Sequence, residues 1–391
     1  MPSSIFNSEI AHSDPASSAK GGLVEPLFVR AVPALRWGAA ALLALVLVIV
    51  AVVAWELWMR SLGLRTVDID DGLPYWAVER RKIDAGPRDQ IAIIGDSRIL
   101  FDTNLDVFQR VSGVRPIQLA VEGTSGLQFL ADLADDEHFA GLVVLGIWED
   151  VYLLFPPYPA FLNYARTESP SQRAGHWANL WLQHRLAFLD SEYSLFHLID
   201  QLRLPERPGT GGTPDGYLAN WKMAERFADR QTTMWPRFEA DPWLRQRQTL
   251  NLGAALRGFV ESTHGAGFPD VMFSPGIDAT RKAIDRIRAR GGEVVMVRPP
   301  SSGYVREAEK ILDPRTRVWD RLLRETHSFG IHFEDYPDMR DLKGVEESHL
   351  GAADQKVFTR AYVTVLCQKV PWLKAHGAQC SADSQTGARS R

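Results

Sequence analysis

The chain is poor in cysteine, with only Cys367 and Cys380 in 391 residues. It has no C-x-x-C pair and no Cys/His cluster, which argues against a structural zinc site. With twelve residues between them, the two sulfurs either close a disulfide in an oxidising compartment, worth about 3 kcal/mol, or remain two separate thiols. Positive charge is not in excess either. Lys and Arg number 44 against 48 Asp and Glu, a net charge of −4. That leaves no global attraction to nucleic acid or to an anionic lipid surface. Internal repeats, a G-x-S-x-G elbow, a phosphate-binding P-loop and an H-E-x-x-H zinc helix are all missing. The ten His and twelve Trp are scattered. No metal and no cofactor is expected.

One long hydrophobic run stands out. Residues 37–55 are nineteen uncharged side chains, mostly Ala, Leu, Val and Ile. At 1.5 Å per residue such a helix is about 28 Å long, close to the thickness of the hydrocarbon layer. Arg36 precedes it, Glu56 and Arg60 follow, and Trp37, Trp55 and Trp58 sit where interfacial aromatics belong. A buried core helix rarely runs so long without a polar residue. A cleaved signal peptide fits less well, because the run starts late and lacks a small-residue cleavage motif. Lys20, Arg30 and Arg36 before the span nearly balance Arg60 and Arg65 after it. The favoured orientation is N-terminus inside and large domain outside. Residues 1–33, rich in Ser, Ala and Pro, read as a disordered cytoplasmic leader. Residues 34–60 read as the transmembrane helix, 61–370 as the folded domain and 371–391 as a flexible tail.

The domain reads as α/β. Residues 90–95 (QIAIIG) form a short apolar run ending in glycine, as suits a central strand buried on both faces. Residues 116–121, 141–146, 293–297 and 331–334 are written in the same style. Helical stretches intervene, notably 127–135 and 279–290. The alternation predicts a three-layer, mainly parallel sheet with right-handed crossovers, of flavodoxin-like type. Residues 160–270 break the rhythm with polar helices, five Trp and the loop PERPGTGGTPDG, and read as a helical insertion or cap. Its Trp residues would serve as sugar-binding platforms or as core packing.

In such sheets ligands bind beyond the carboxyl ends of the strands. Ser97 follows the first strand at Gly95-Asp96-Ser97-Arg98. A Ser there is more often a helix cap than a nucleophile. Near the other end, Glu346-Glu347-Ser348-His349-Leu350 precedes an amphipathic helix over 352–365. A serine hydroxyl needs a base, a neutral His suits the role, and the His needs an acceptor to set its tautomer. Glu346 is placed to be that acceptor, with Glu347 or Asp335 as alternatives. Alone, His349 reads more often as a helix-start residue bonded to backbone.

Taken together, these segments resemble the SGNH/GDSL hydrolase superfamily over residues 90–365, with 160–270 outside the likeness. IIGDSR resembles its first block and puts Ser97 at the nucleophile. LAVEGTSG resembles the second, which makes the backbone N–H of Gly123, with that of Ser97, the oxyanion hole. VVLGIWEDV takes the place of the third block, and ESHL resembles the last, with His349 as base and Glu346 in place of the usual Asp. One departure is plain: the third block carries Asn, whereas Gly146-Ile147-Trp148-Glu149-Asp150 has none.

What the resemblance implies is a serine esterase or O-acyltransferase, hydrolase and transferase sharing one acyl-enzyme. The single span, the VVMVRPPSSG segment and the SHL ending narrow the likeness to bacterial inner-membrane proteins with a periplasmic domain that accompany polysaccharide O-acetylation. The implied substrate is an acetylated polysaccharide and the implied partner a membrane-bound O-acyltransferase. Arg98, Glu149 and Arg298 are expected to face that substrate, unless the arginines merely form surface ion pairs. Two other functions stay open: a non-catalytic glycan-binding scaffold, and a lipase-like enzyme preferring long-chain esters. His349 and Asp354 also fit the His-x4-Asp pair of glycerolipid acyltransferases. Two fixed positions arise by chance among ten His, and little chain remains downstream, so this pattern is set aside.

Overall fold

The computed structural model describes residues 36–194, 222–377 and Cys380. The expected leader at 1–33, the loop at 205–216 and most of the tail lie outside the described residues. Helix Trp37–Ser61 is long and apolar enough to cross a membrane, and none of its most apolar stretch is buried by protein. The chain divides after Val52, so this helix's last residues belong to the folded unit that runs from Val53 onward. In that unit the Glu56 carboxylate accepts the N–H groups of Ala187 and Phe188, each at 3.0 Å. Met59 is fully buried beside Trp235 and Phe101.

The described residues form seven strands: β1 (Ile91–Ile94), β2 (Ile117–Gln118), β3 (Leu142–Gly146), β4 (Ala224–Arg226), β5 (Thr232–Met234), β6 (Glu293–Arg298) and β7 (Phe329–His332). Five of them make one sheet in the order β2-β1-β3-β6-β7. Every neighbouring pair in it is parallel. The chain turns one way from β1 to β2 and the other way to β3. The carboxyl ends of β1 and β3 therefore flank the switch point where doubly wound sheets bind ligands.

Continuous apolar runs form these strands because both faces are covered. Ala92, Ile94, Val143, Leu145, Val294 and Met296 pack to one side with Phe129, Ile284 and Trp319. Their alternates Ile91, Ile93, Leu142, Val144, Val295 and Val297 pack to the other with Phe108, Phe358 and Tyr362. The result is three layers, helix–sheet–helix.

Several boundaries differ from expectation, and the strand expected over 116–121 is only Ile117–Gln118. The last strand starts two residues early, and Phe333–Asp335 is a 3-10 turn in which the His332 ring accepts the Glu334 N–H at 3.2 Å. Helix Asp270–Ala289 runs through Pro275, so it is longer than 279–290. The 160–270 insertion is not purely helical. It holds helices Ala160–Thr167, Pro170–Gln183, Pro236–Ala240 and Pro242–Ser262, together with the antiparallel ribbon β4–β5. That ribbon is tied to the main domain by Gln355, whose side-chain amide donates to the carbonyls of Thr232 (2.6 Å) and Phe101 (2.5 Å).

Cys367 and Cys380 are bonded to each other, with their Cα atoms 5.8 Å apart.

Candidate active site

Ser97 is the first residue of a short helix, Ser97–Asp102, that leaves the end of β1. Gly95 makes the exit at φ 142°, and a Cβ there would lie 2.7 Å from the Gly146 carbonyl oxygen. Only glycine meets both conditions. The side chain of Asp96 then caps the helix by accepting the Arg98 N–H at 2.9 Å.

The second segment arrives from the far end of the chain. Residues 344–350 form a tight loop closed by Val345 N–H to the His349 carbonyl at 2.7 Å. Three ties hold the loop in place. The Arg98 Nε–H donates to Ser348 Oγ at 3.0 Å. The Leu350 N–H donates to Asp102 Oδ1 at 2.9 Å. The Glu347 carboxylate, on a residue at φ 76°, accepts the Tyr304 N–H at 2.8 Å. Two of the three reach the helix that carries Ser97.

The outcome is a hydrogen-bonded line. His349 Nε2 lies 2.8 Å from Ser97 Oγ, and His349 Nδ1 is bonded to Glu346 Oε1. A carboxylate only accepts, so Nδ1 carries the hydrogen and Nε2 presents its lone pair to the Ser97 hydroxyl. Glu346 is fully buried and His349 nearly so, and the Phe101 ring packs 4.6 Å from the imidazole. Burial opposes the imidazolium, but the Glu346 carboxylate hydrogen-bonded to the ring outweighs burial and raises the His349 pKa above its usual value. Burial pushes Asp102 itself up to about 8. The other two acceptors considered for His349 are engaged elsewhere: Glu347 at the helix that starts at Gly303, and Asp335 with Arg315 at 2.8 Å.

Gly123 follows β2 at φ 62° and, with Ser97 and His349, lines a cleft of about 400 Å³. Among the described residues, no other group takes the backbone N–H of Ser97 or of Gly123. The cleft also receives Glu122, Glu192, Arg226 and Gln248, and Arg226 is paired with Glu122.

Arg98, Glu149 and Arg298 do not face this cleft, which corrects the expectation for all three. They are 0%, 3% and 0% exposed. Arg298 binds Glu149 at 2.8 Å and Glu309 at 2.6 Å, and Arg98 reaches the other Glu309 oxygen at 2.6 Å. Unpaired guanidinium groups are costly to bury, so each arginine is matched by carboxylate. Burial works against the Glu309 charge, yet Arg298 and Arg98 hold its pKa down to about 2. Burial also pushes Asp150, at the edge of the network, up to about 7. The Arg98 guanidinium lies 3.8 Å over the Trp148 ring, and the Trp148 indole N–H is buried without a partner among the described residues.

Reading the sequence missed Glu309, Asp102 and Ser348 as supports of the site. Ser348 stood beside His349 and was readable in principle. Glu309 and Asp102 carried no local signal, since each matters only for a partner far along the chain. No protein-family model matches the chain, and no curated protein sequence matches it.

Proposed function

We propose that this protein is a membrane-anchored serine acyl-transfer enzyme of the SGNH/GDSL kind that its motifs resemble. One observation carries the reading: Ser97 Oγ, the His349 ring and the Glu346 carboxylate stand in a single bonded line at the sheet's switch point. Ser97 Oγ attacks an ester carbonyl while His349 Nε2 takes its proton. In this reading the Ser97 and Gly123 N–H groups receive the negative oxygen. The alcohol leaves with the proton from His349, giving an acyl-serine. Water or an acceptor hydroxyl then yields a proton to Nε2 and attacks the acyl carbon, and Ser97 Oγ leaves with that proton from His349, which restores the hydroxyl and the neutral ring. Glu346 orients the ring and steadies its charge.

The apolar helix supports single-pass membrane anchoring. The Cys367–Cys380 bond favours a domain on the oxidising side of the membrane. A bacterial inner-membrane location, an acetylated polysaccharide substrate and a membrane-bound O-acyltransferase partner rest on the resemblance alone.

The test uses the full-length protein in detergent with p-nitrophenyl esters and a fluorophosphonate probe. Turnover is expected, with labelling at Ser97, and both vanish in Ser97→Ala. A second reading, a non-catalytic glycan-binding partner, is favoured by Trp148 standing where the resembled block has Asn. A protein that neither labels nor turns over any ester, yet retains polysaccharide, would establish that reading instead.

A further inference from the structure

A second cavity opens beside Ser97, and its chemistry differs from that of the first. It measures about 210 Å³ and shares only Ser97 and Gly123 with the polar cleft. Trp148, Val151 and Phe155 contribute one wall from the chain just after β3. Leu252, Leu256 and Phe259 contribute the other from helix Pro242–Ser262 of the insertion. Their spacing places them on one face of that helix. Leu256 is buried, while Phe155 and Phe259 remain 37% and 39% exposed. Two half-exposed phenyl rings at the edge of an apolar cavity are surface that a hydrophobic ligand would cover.

We infer that this cavity holds the acyl chain of the ester, and that the chain is a medium-length alkanoyl group rather than acetyl. The inference rests on the acyl-transfer reading of Ser97. An acyl-serine carries its chain to one side and loses its alcohol to the other. The two cavities meeting at Ser97 and Gly123 supply those two sides, one apolar and one lined by Glu122, Glu192, Arg226 and Gln248. The size favours a chain over a methyl group. At roughly 30 Å³ for a water-sized group, a space of about 210 Å³ has room for several such groups. An acetyl methyl fills one of them and leaves the aromatic walls wet. A chain of roughly six to eight carbons suits a space of that size.

The experiment is a chain-length profile of full-length protein in detergent, using p-nitrophenyl acetate, butanoate, hexanoate, octanoate and dodecanoate. On burial of methylenes, kcat/KM rises about fourfold per added carbon up to hexanoate or octanoate, then falls at dodecanoate. Ala255→Trp puts a large side chain into the cavity lining, and the hexanoate-to-acetate ratio of kcat/KM drops at least tenfold. A wild-type profile that is flat or highest at acetate, with Ser97 still labelled by fluorophosphonate, overturns the acyl-chain assignment alone. Absence of both turnover and labelling overturns the acyl-transfer reading and this assignment with it.

Discussion

His349 is held from both ends, by Glu346 on Nδ1 and by the Ser97 hydroxyl on Nε2. If Ser97 transfers acyl groups as proposed, the reaction needs the neutral ring, so activity is expected to rise with pH through the His349 titration. Because Glu346 lifts that titration above the ordinary value of about 6.5, the acid limb of kcat/KM is expected above 6.5. Glu346→Gln keeps a hydrogen-bond acceptor but removes the charge. Its acid limb should move to lower pH, with a lower plateau. A pH–rate profile of the two proteins checks this, and an unmoved limb would remove Glu346 from its role.

Asp102 makes a separate prediction about stability. Burial lifts its pKa to about 8 in the folded state, against about 3.9 when unfolded. Between those values the folded chain holds a proton that the unfolded chain has shed. Its contribution to stability therefore falls as pH rises from about 4 to about 8. Asp102→Asn cannot titrate and still offers a carbonyl to the Leu350 N–H. Its urea midpoint should gain on the wild type steadily across that window, with little difference near pH 4.

The placing of Ser97 at a strand end and of His349 before a helix was legible, because glycine exits and helix starts leave local marks. The burial of Arg98, Glu149 and Arg298 was not. An arginine beside a candidate nucleophile looks the same in sequence whether it meets substrate or a carboxylate such as Glu309 from another helix.

Among elements, Gly146 at the end of β3 lies against Ile99 of the Ser97 helix, and Gly126 lies against Gly95 at the exit of β1. A Cβ on Gly146 would sit 2.2 Å from Ile99 Cβ, and one on Gly126 would sit 2.9 Å from Gly95 Cα. Gly146→Ala should lower the unfolding free energy by about 1–3 kcal/mol through overpacking and displace Ser97, as read by urea unfolding and by fluorophosphonate labelling rate. The Cys367–Cys380 bond joins the end of helix Ala352–Lys369 to chain beyond Ala375. Cys380→Ser, or reduction of the native protein, should cost up to about 3 kcal/mol in the same assay. The main strands were readable because burial on two faces writes an unbroken apolar run. The β4–β5 ribbon was not, since three residues per strand are too few to show a period and Ala224–Arg226 is mostly polar. The start of helix Asp270–Ala289 was hidden by Pro275, which usually marks a break.

On the scale of the whole molecule, the folded unit begins inside the apolar helix rather than after it. A chain starting at residue 53 keeps Glu56 on the Ala187 and Phe188 N–H groups and keeps Met59 in its pocket with Trp235. A chain starting at residue 63 loses both. The shorter protein should unfold at lower urea, by about 2–5 kcal/mol for the vacated methionine site alone. Equal midpoints would show that the end of the helix contributes nothing to the fold. The three-layer plan was visible in the alternation of strand and helix. The ties of the insertion to the main domain, from Gln231 to Thr103 and from Gln355 to Thr232, were not, because such ties depend on which loops the finished sheet brings together.

The bonds from Arg98 to Ser348 and from Asp102 to Leu350 join segments some 250 residues apart in the chain. The hydroxyl and the imidazole therefore ride on one rigid piece of framework. Loosening one against the other means breaking these bonds between distant segments. Heat inactivation should then be all-or-none, and the turnover left after a heat pulse would count the molecules still folded.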